Sequence, residues 1–383
     1  MSRRLTVLMI SKASVTALYR EKQRQMVAGA GADGVNLTLV VPPEFGGIPY
    51  EPDPADTYSI VPLPLWWGRT QHHLHLYRGL ARVFQAAAPD LVHIDEEHYS
   101  LVTWAATRLA RRAGVPSLFF TWQNLYKDYP WPVSAWERSV LRHSRGAIAG
   151  NQEAAAVLAA KGFHQPVQVI PQFGTDPARY RPLQPSERAA VRTSWGVAAD
   201  AVVVGYVGRL VPDKGLDVLT EAAAPLLHQH PDWHLAFVGD GPWRSDGVRW
   251  RDREQRADQV HFLPRVPSPA MPSVMGALDV LVLPSLTTPR WKEQFGRVLV
   301  EAMAAEVAVV GSTSGEIPAV LGDAGVVVPE GDAQALRATL ATLVGDPARR
   351  QALGQQGRAR VLAHFTPQAV AADTIAFYHR LCP

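Results

Sequence analysis

The strongest chemical signal in the sequence is a pair of glutamates with a glycine and an apolar run between them. In Glu293-Gln-Phe-Gly-Arg-Val-Leu-Val-Glu301 the two carboxylates stand eight positions apart. At about 3.6 residues per helical turn, a residue eight positions on returns near the same face. A helix that starts here would also point its first N–H groups toward an anion. The stretch fits a carboxylate pair that binds one ligand, and it fits a solvated acidic helix start equally well.

A second candidate loop follows the apolar run that ends at Val207. It reads Gly208-Arg-Leu-Val-Pro-Asp-Lys-Gly215, with two cations five positions apart. Gly208 permits close backbone approach to a ligand. Arg209 would act as a planar fork and Lys214 as a point charge, a combination that suits a diphosphate. The glycine spacing is not that of a Walker loop, and ordinary surface charge is the alternative.

Two weaker signals follow the next apolar runs. Gly239-Asp-Gly-Pro242 predicts a tight turn whose glycines open space for a ligand. Pro264-Arg265-Val266 offers backbone groups to a nucleobase and is equally compatible with a plain loop. Each signal is weak alone, but all of them follow predicted strand ends, where open α/β sheets bind ligands.

The elements that position these loops are predicted from alternating apolar runs and helical periods. In the first half we predict strands at 5–10, 35–41, 91–94, 117–121 and 167–170, with helices that include 15–29 and 72–88. A proline-rich segment, 171–185, interrupts the pattern. The alternation restarts at 201–207. Continuous apolar strands between helices predict a parallel sheet covered on both faces, and the pattern occurs twice.

Composition narrows the functional classes. A net charge of +3 is too small to indicate a nucleic-acid partner. Basic clusters on predicted helices of the first half, such as Arg108/Arg111/Arg112, fit solvated faces, and they also fit contact with anionic lipid. The single cysteine, Cys382, suits a reducing cytoplasm, and no segment approaches the roughly 20 apolar residues of a membrane span. We expect a cytoplasmic protein, with peripheral contact at the inner face of the membrane as an option.

Taken together, these motifs resemble a known family. The chain is similar to retaining glycosyltransferases of the GT-B fold, in the large family four. The resemblance rests on Gly208-Arg209…Lys214-Gly215, on Val238-Gly-Asp-Gly-Pro242, on Asp279-Val-Leu-Val-Leu-Pro-Ser285, and on the glutamate pair with Phe295-Gly296 and Glu301-Ala-Met303. It is specific over 201–330 and weaker in the first 175 residues.

The resemblance implies a fold and an activity. It implies two Rossmann-like domains that face each other across a cleft, with an acceptor-side domain at 1–173, a nucleotide-sugar domain at 174–364, and a last helix within 365–383 that packs back on the first domain. The implied enzyme is a hexosyltransferase that uses a nucleoside diphosphate sugar and retains the anomeric configuration. The acceptor would be a glycan, a lipid-linked sugar or a small molecule.

The resemblance also implies roles for individual residues. Arg209, Lys214 and Glu293 would form the catalytic group, with the two cations on the departing diphosphate and Glu293 on the hydroxyls of the donor sugar. Glu301 would bind the ribose. The remaining donor-binding candidates lie in the same loops: Gly208, Gly239, Arg265, Val266, Phe295, Gly296, Arg297 and Val298.

The implied chemistry requires no cofactor or metal ion. Fixed cations and helix N–H groups can stabilise the charge of a leaving diphosphate, and the sequence has no Asp-x-Asp pair that would demand a divalent ion. Three histidines close together in the sequence could bind a metal ion: His72, His73 and His75. The sequence offers no obvious carboxylate partner for them, so we expect that they have structural roles.

The first domain departs from the family. Its opening loop, Ile10-Ser-Lys-Ala-Ser-Val15, lacks the usual glycine pair, and Gln123 stands where a histidine often occurs and cannot act as an acid or base. Lys12, Asp95, Glu96 and Gln123 are the candidates for the acceptor or sugar side. For the acidic run Asp95-Glu-Glu97, solvation at the surface is the alternative.

Two other functions remain compatible with the sequence. A sugar-nucleotide epimerase of the same two-domain build would release an altered sugar without an acceptor. A two-lobed sugar-binding protein would use the same loops without catalysis.

Overall fold

The computed structural model describes residues 4–29, 31–68, 70–71 and 73–382. The chain divides into two compact units. Unit 1 comprises Met1–Gly174 and Pro367–Pro383, and unit 2 comprises Thr175–Thr366. Among the described residues, none of the helices combines the length and the apolar character needed to cross a bilayer.

Seventeen strands are described, most of them short and apolar. They are β1 (Leu5–Ile10), β2 (Val35–Val41), β3 (Glu44–Phe45), β4 (Ile48–Pro49), β5 (Ser59–Pro62), β6 (Leu65–Trp67), β7 (Leu76–Tyr77), β8 (Leu91–Ile94), β9 (Ser117–Thr121), β10 (Gly146–Ala149), β11 (Val167–Val169), β12 (Val202–Val207), β13 (Trp233–Val238), β14 (Val260–Leu263), β15 (Val280–Leu283), β16 (Ala308–Ser312) and β17 (Val326–Val328).

Fourteen α-helices alternate with these strands in the described chain. They are α1 (Glu21–Ala28), α2 (Leu80–Ala87), α3 (Leu101–Arg112), α4 (Val133–His143), α5 (Gln152–Ala160), α6 (Pro185–Ser194), α7 (Leu216–Gln229), α8 (Arg244–Arg253), α9 (Met271–Gly276), α10 (Arg297–Ala304), α11 (Ile317–Leu321), α12 (Ala333–Gly345), α13 (Pro347–His364) and α14 (Pro367–Leu381).

Unit 1 is built on a seven-stranded parallel sheet in the order β11-β10-β9-β8-β1-β2-β5. Its central strands are apolar and almost fully buried, as expected when helices cover both faces. From β1 the chain adds β2 and β5 on one side and β8 to β11 on the other. The order therefore reverses between β1 and β8, and the loops that follow these two strands meet at one sheet edge.

The last helix belongs to unit 1, although more than 190 residues of unit 2 precede it in the chain. Helix α14 buries Val370, Phe377 and Tyr378 in the same core as β1 and β2. The Tyr378 hydroxyl lies 2.6 Å from Nδ1 of His93 on β8. The predicted return of the last helix to the first domain is confirmed.

Unit 2 repeats the architecture with a six-stranded parallel sheet in the order β14-β13-β12-β15-β16-β17. The reversal lies between β12 and β15, so the loops after these strands meet in the same way as those of unit 1. At the other end of the strands, Asp279 accepts hydrogen bonds from Arg192 on α6 at 2.6 Å and from the N–H of Val203 at 2.8 Å. The predicted class, two Rossmann-like parallel-sheet domains, is confirmed.

Two predicted helices are wrong in their first parts. The helix predicted at 72–88 begins only at Leu80, because Leu76–Tyr77 pairs with Leu65–Trp67 as an antiparallel hairpin and Gly79, at φ +90°, precedes the helix. Its predicted first residue, His72, lies outside the described residues. The helix predicted at 15–29 is α-helical only over Glu21–Ala28, after two short 3-10 turns.

Candidate functional site

The loops after β12 and β15 are packed against each other at the reversal point of unit 2. The N–H of Leu286 donates to the carbonyl of Asp213 at 2.9 Å. Gly215 has φ +67°, and a Cβ there would overlap the carbonyl of Pro284. A glycine is therefore needed both for the backbone angle and for the close approach of the two loops. This contact holds Lys214 beside the segment that carries Glu293.

Lys214 and Glu293 form a largely buried ion pair. The ammonium lies 2.6 Å from Glu293 Oε2, with only 12% and 11% of the two side chains exposed. The same oxygen accepts a hydrogen bond from Ser285 at 2.9 Å, and the ammonium also lies 4.5 Å from the centre of the Trp291 ring. The predicted catalytic lysine and the first glutamate of the pair are thus brought into direct contact, 79 positions apart in the chain.

The backbone around Glu293 is anchored by the loop after β16. The N–H of Glu316 donates to the carbonyl of Glu293 at 3.1 Å. Gly315, at φ +54°, lies so close to that carbonyl that a Cβ would overlap it. The sequence had indicated Gly315-Glu-Ile-Pro318 only as a further strand-end loop, and its contact with Glu293 explains why a glycine stands there.

Helix α10 begins at Arg297, inside the glutamate motif. Gly296 adopts φ +73° immediately before the helix, and its carbonyl accepts from the N–H of Leu299 at 2.8 Å. Glu301, 7% exposed, accepts from Arg297 Nε at 2.8 Å. Val298 packs against the core of unit 2. Gly296, Arg297 and Glu301 therefore lie together at one helix start.

Other donor-side candidates lie at the same ends of the strands. The exposed Arg209 directly follows Gly208, and its carbonyl accepts from the hydroxyl of Tyr206 at 2.7 Å. Gly239, at φ +144°, lies against the Gly208 backbone and leaves no room for a side chain. Arg265 is exposed after β14.

Two of the donor-side candidates have apolar surroundings. Val266 packs against the core of unit 2, and Phe295 does the same. The Phe295 ring is edge-on to Phe365, with the ring centres 5.8 Å apart. These contacts account for the packing of both side chains.

A second lysine–glutamate pair lies at the reversal point of unit 1. The ammonium of Lys12, after β1, forms an ion pair with Glu96, after β8. The backbone N–H of Lys12 also donates to Glu96 Oε1 at 2.8 Å. Burial raises the pKa of the Glu96 carboxyl, and Lys12 partly offsets that increase. Asp95 accepts from Ser11 Oγ at 2.8 Å. The predicted acceptor-side residues Lys12, Asp95 and Glu96 are brought together, and the two acids are buried rather than solvated at the surface.

These residues line a pocket of about 250 Å³ in unit 1. Its wall combines the three polar residues with apolar and aromatic side chains, among them Tyr19, Phe45 and Trp122. Tyr19 and Phe45 were not among the predicted site residues, because a single aromatic side chain in the sequence does not indicate a ligand site. Gln123 does not line this pocket.

Two acceptor atoms near these strand ends are buried without hydrogen bonds to any described residue. They are Oδ1 of Asp95 and Oε1 of Gln123. The Gln123 amide nitrogen donates to the carbonyl of Leu125 at 3.0 Å, which leaves the side-chain oxygen for another donor. A buried acceptor without a donor costs about 1–3 kcal/mol, so Oδ1 of Asp95, which lines the pocket, favours a ligand that brings hydroxyl groups.

The neighbouring Glu97 was also missed as an organising residue. It accepts from Thr121 Oγ1 at 2.6 Å and from the N–H of Trp122 at 2.9 Å, and so joins the loop after β8 to that after β9. His75 is fully buried beside the Phe45 and Tyr77 rings, and its Nε2 lies 3.7 Å from Glu96 Oε1. No group of three or more potential metal ligands occurs among the residues that the structure describes.

Comparisons with known proteins point to one family. Residues 187–360 match the family described as "Glycosyl transferases group 1", and residues 20–173 match "Glycosyl transferase 4-like domain". The D-inositol 3-phosphate glycosyltransferase of Stackebrandtia nassauensis is 30% identical over 323 residues, which cover 78% of this chain and 71% of that protein.

A second relative matches over a shorter length. The GDP-mannose-dependent monoacylated alpha-(1-6)-phosphatidylinositol monomannoside mannosyltransferase of Corynebacterium glutamicum is 33% identical over 210 residues. The match covers 54% of this chain and 54% of the relative, so the chain spans about half the length of that protein.

A solved structure shares the fold. The HepE protein of Anabaena, crystallised with UDP, is 19% identical, with a TM-score of 0.74 over 98% of this chain and 100% of its own. Together with the two parallel sheets and the loops at their reversal points, these matches show that the chain belongs to the group 1 glycosyltransferases, related to family four, with the GT-B fold.

Proposed function

We propose that this chain transfers a hexosyl group from a nucleoside diphosphate sugar to a hydroxyl of an acceptor, with retention and without a metal ion. The bond from the anomeric carbon to the diphosphate breaks and its electron pair leaves with the nucleoside diphosphate. A bond from the same carbon to the acceptor oxygen forms, and the acceptor hydroxyl passes its proton to an oxygen of the departing diphosphate. The observation that carries the proposal is the Lys214–Glu293 pair at the reversal point of unit 2, 2.6 Å apart.

On the donor side, fixed cations would stabilise the negative charge of the departing diphosphate. Lys214 is held in place by Glu293 and Trp291, so its charge is positioned before a ligand arrives. Arg209 is exposed after the same strand, and in this proposal it would contact a phosphate oxygen. Preorganised charges of this kind stabilise a departing anion without reorganisation cost. The N–H groups at the start of α10 add a partial positive charge.

Contacts to the rest of the donor are assigned to the two glutamates and the neighbouring loops. Glu293 would accept from sugar hydroxyls as well as from Lys214, and Glu301 from the ribose hydroxyls. Gly208 and Gly239 would allow the backbone to approach the diphosphate, and the segment Arg265–Val266 would meet the base. The donors to test include GDP and UDP sugars, because the name of the Corynebacterium glutamicum relative includes GDP-mannose and HepE was solved with UDP.

On the acceptor side, we infer a polyhydroxylated ring, either free or attached to a lipid or glycan. The unit 1 pocket offers the carboxylates Asp95 and Glu96 as hydrogen-bond acceptors and Lys12 as a donor, while Phe45 and Trp122 suit the C–H faces of a ring. The names of the two curated relatives support this class, since both include inositol. The single cysteine, Cys382, agrees with a reaction in the reducing cytoplasm.

The test is a product assay with GDP-mannose, UDP-glucose and ADP-glucose, each with and without inositol, in the presence of EDTA. We expect release of nucleoside diphosphate that requires the acceptor and continues with the chelator present, and a glycoside whose anomeric configuration matches that of the donor. An altered sugar nucleotide formed without acceptor would identify an epimerase instead. Binding without turnover across a wide panel of acceptors would indicate a sugar-binding protein. Activity that disappears with EDTA and returns only with a divalent ion would overturn the metal-free scheme.

A further inference from the structure

A second pocket in unit 1 lies between α3 and α4. It has a volume of about 250 Å³, and it shares no lining residue with the pocket that contains Lys12. Helix α3 contributes Arg108, Arg111 and Arg112, and helix α4 contributes Ser139 and His143. Nothing in the proposed transfer reaction uses these residues.

The three arginines concentrate positive charge on one helix face. Positions 108, 111 and 112 are related by three and four residues, so the side chains are neighbours on α3. Within the described part of the chain, no carboxylate lies within 4.0 Å of any of the three guanidinium groups, whereas Arg108 lies 5.5 Å from the Trp104 ring centre. Like charges on one face repel each other. The helix dipole accounts for cations in the last turn of α3, but it does not account for a pocket.

His143 orients one of these arginines. Its Nδ1 lies 2.8 Å from the carbonyl of Ser139, which only accepts, so Nδ1 carries the proton. Its Nε2 lies 2.7 Å from Nη1 of Arg111, which only donates, so Nε2 accepts. The neutral imidazole thus accepts a hydrogen bond from the Arg111 guanidinium at the pocket wall. It leaves the positive charge of the three arginines unchanged.

Thr107 supplies the second, independent observation. It lines the pocket and is 2% exposed, and its hydroxyl has no hydrogen-bond partner among the described residues. A buried hydroxyl without a partner destabilises the fold, and a ligand oxygen would supply the missing hydrogen bond. Arginine forks with a hydroxyl donor form the donor set that recognises phosphoryl oxygens.

We propose that the pocket between α3 and α4 binds a phosphoryl group, in addition to the donor diphosphate assigned to unit 2. Arg108, Arg111 and Arg112 would neutralise the charge, and Thr107 would donate to one oxygen. The phosphoryl group comes either from soluble phosphate or from the head group of an anionic lipid. The experiment separates these two sources.

The test uses the full chain and two matched variants. The pocket variant is Arg108→Ala with Arg111→Ala, and the control is Arg138→Ala with Arg142→Ala. The control removes the same charge from exposed positions of α4 that do not line the pocket. Binding of inorganic phosphate is measured by calorimetry. Co-sedimentation is measured with vesicles of phosphatidylcholine, with and without phosphatidylglycerol.

We expect the pocket variant to bind at least roughly tenfold more weakly than the wild type, while the control stays within about twofold, because only the pocket variant loses charge-assisted hydrogen bonds to the phosphoryl group. Thr107→Val should weaken binding without a change of charge. Loss of phosphate binding in the pocket variant supports a soluble source, and loss of vesicle binding alone supports a lipid source. Equal loss in both double variants, or no binding of either probe by the wild type, would overturn the proposal.

The phosphate and vesicle binding measurements do not depend on the transfer reaction. Neither double variant touches the residues assigned to donor or acceptor, so nucleotide-sugar turnover with a soluble acceptor should persist in both. Failure of turnover in the wild type would contradict the proposed function and leave the phosphate measurement intact.

Discussion

At the scale of single residues, the two units share one arrangement, a lysine paired with a buried glutamate. Each reversal point holds a lysine from the loop after the first strand of its unit and a buried glutamate from a later loop: Lys12 with Glu96, and Lys214 with Glu293. A buried carboxylate is costly without a cation, and a cation beside it is held in place. The pair therefore fixes the position of a charge that a ligand can use.

Replacement of Lys214 tests this arrangement on the donor side. Lys214→Ala should lower kcat by well over tenfold, about 1.4 kcal/mol per decade, because the departing diphosphate loses a positioned charge. Affinity for nucleoside diphosphate should fall more than affinity for the nucleoside, which has no phosphate. Steady-state kinetics and calorimetry provide the two measurements.

Arg253→Ala provides the control for this experiment, since it removes one cation from an exposed position on α8. Denaturation curves for both variants show whether the loss of an ion-pair partner for Glu293 has unfolded unit 2. A folded Lys214→Ala variant with wild-type kcat would remove the diphosphate role.

At the scale of elements, the site depends on loops that touch after β12 and β15. Gly215 determines how closely they approach, because its φ is +67° and Pro284 leaves no space for a Cβ. The site glutamate is similarly anchored by the loop after β16. Strand order brings these loops to one edge, and glycines let their backbones pack.

Gly215→Ala tests the close approach against a matched glycine. Gly196 in the same unit has φ +76° with open space around its Cα, so Gly196→Ala measures backbone strain alone, about 1–2 kcal/mol. Gly215→Ala adds the overlap with Pro284 and should destabilise unit 2 by at least about 1 kcal/mol more. Urea denaturation gives both free energies of unfolding. Equal losses of unfolding free energy in the two variants would show that the loop contact leaves room for a Cβ at position 215.

At the scale of the whole molecule, the chain leaves unit 1, builds unit 2 and returns through α14. The returning helix is tied to the sheet by the 2.6 Å contact between Tyr378 and His93. Burial lowers the pKa of His93 to about 3, so the imidazole is neutral in the folded protein at neutral pH.

This burial predicts acid sensitivity. In the unfolded chain a histidine has a pKa of about 6.5, so between that value and 3 the unfolded state binds a proton that the folded state does not. Stability is therefore fully present above about pH 6.5 and declines by up to about 1.4 kcal/mol per pH unit as the pH falls. Thermal denaturation between neutral and mildly acidic pH should show a falling Tm.

His93→Gln should flatten this dependence, because glutamine keeps a hydrogen-bonding group and does not titrate. Burial also lowers the pKa of His261 in unit 2 to about 4, so some dependence of the same sign remains. His164→Gln, which removes an exposed imidazole from unit 1, is the control and should follow the wild type. A His93→Gln slope identical to the wild type would contradict the assignment.

The sequence alone was enough to predict the fold class, most strands, and the loops that hold charged residues. Strand burial and helix periodicity are local patterns, so they can be recognised within a single segment such as Val280–Leu283 or Pro367–Leu381. It also identified Lys214, Glu293, Gly296 and Glu301 as candidates, because their types and spacing matched a family.

Which of these residues meet depends on the tertiary structure. Lys12 and Glu96 are 84 positions apart, and Lys214 and Glu293 are 79 apart, so no local pattern encodes their pairing. The same holds for the Leu76–Tyr77 hairpin, whose strand character comes from its partner rather than from its own sequence. Distant segments are brought together by strand order and packing, and a ligand site made from several loops exists only after the sheets have formed.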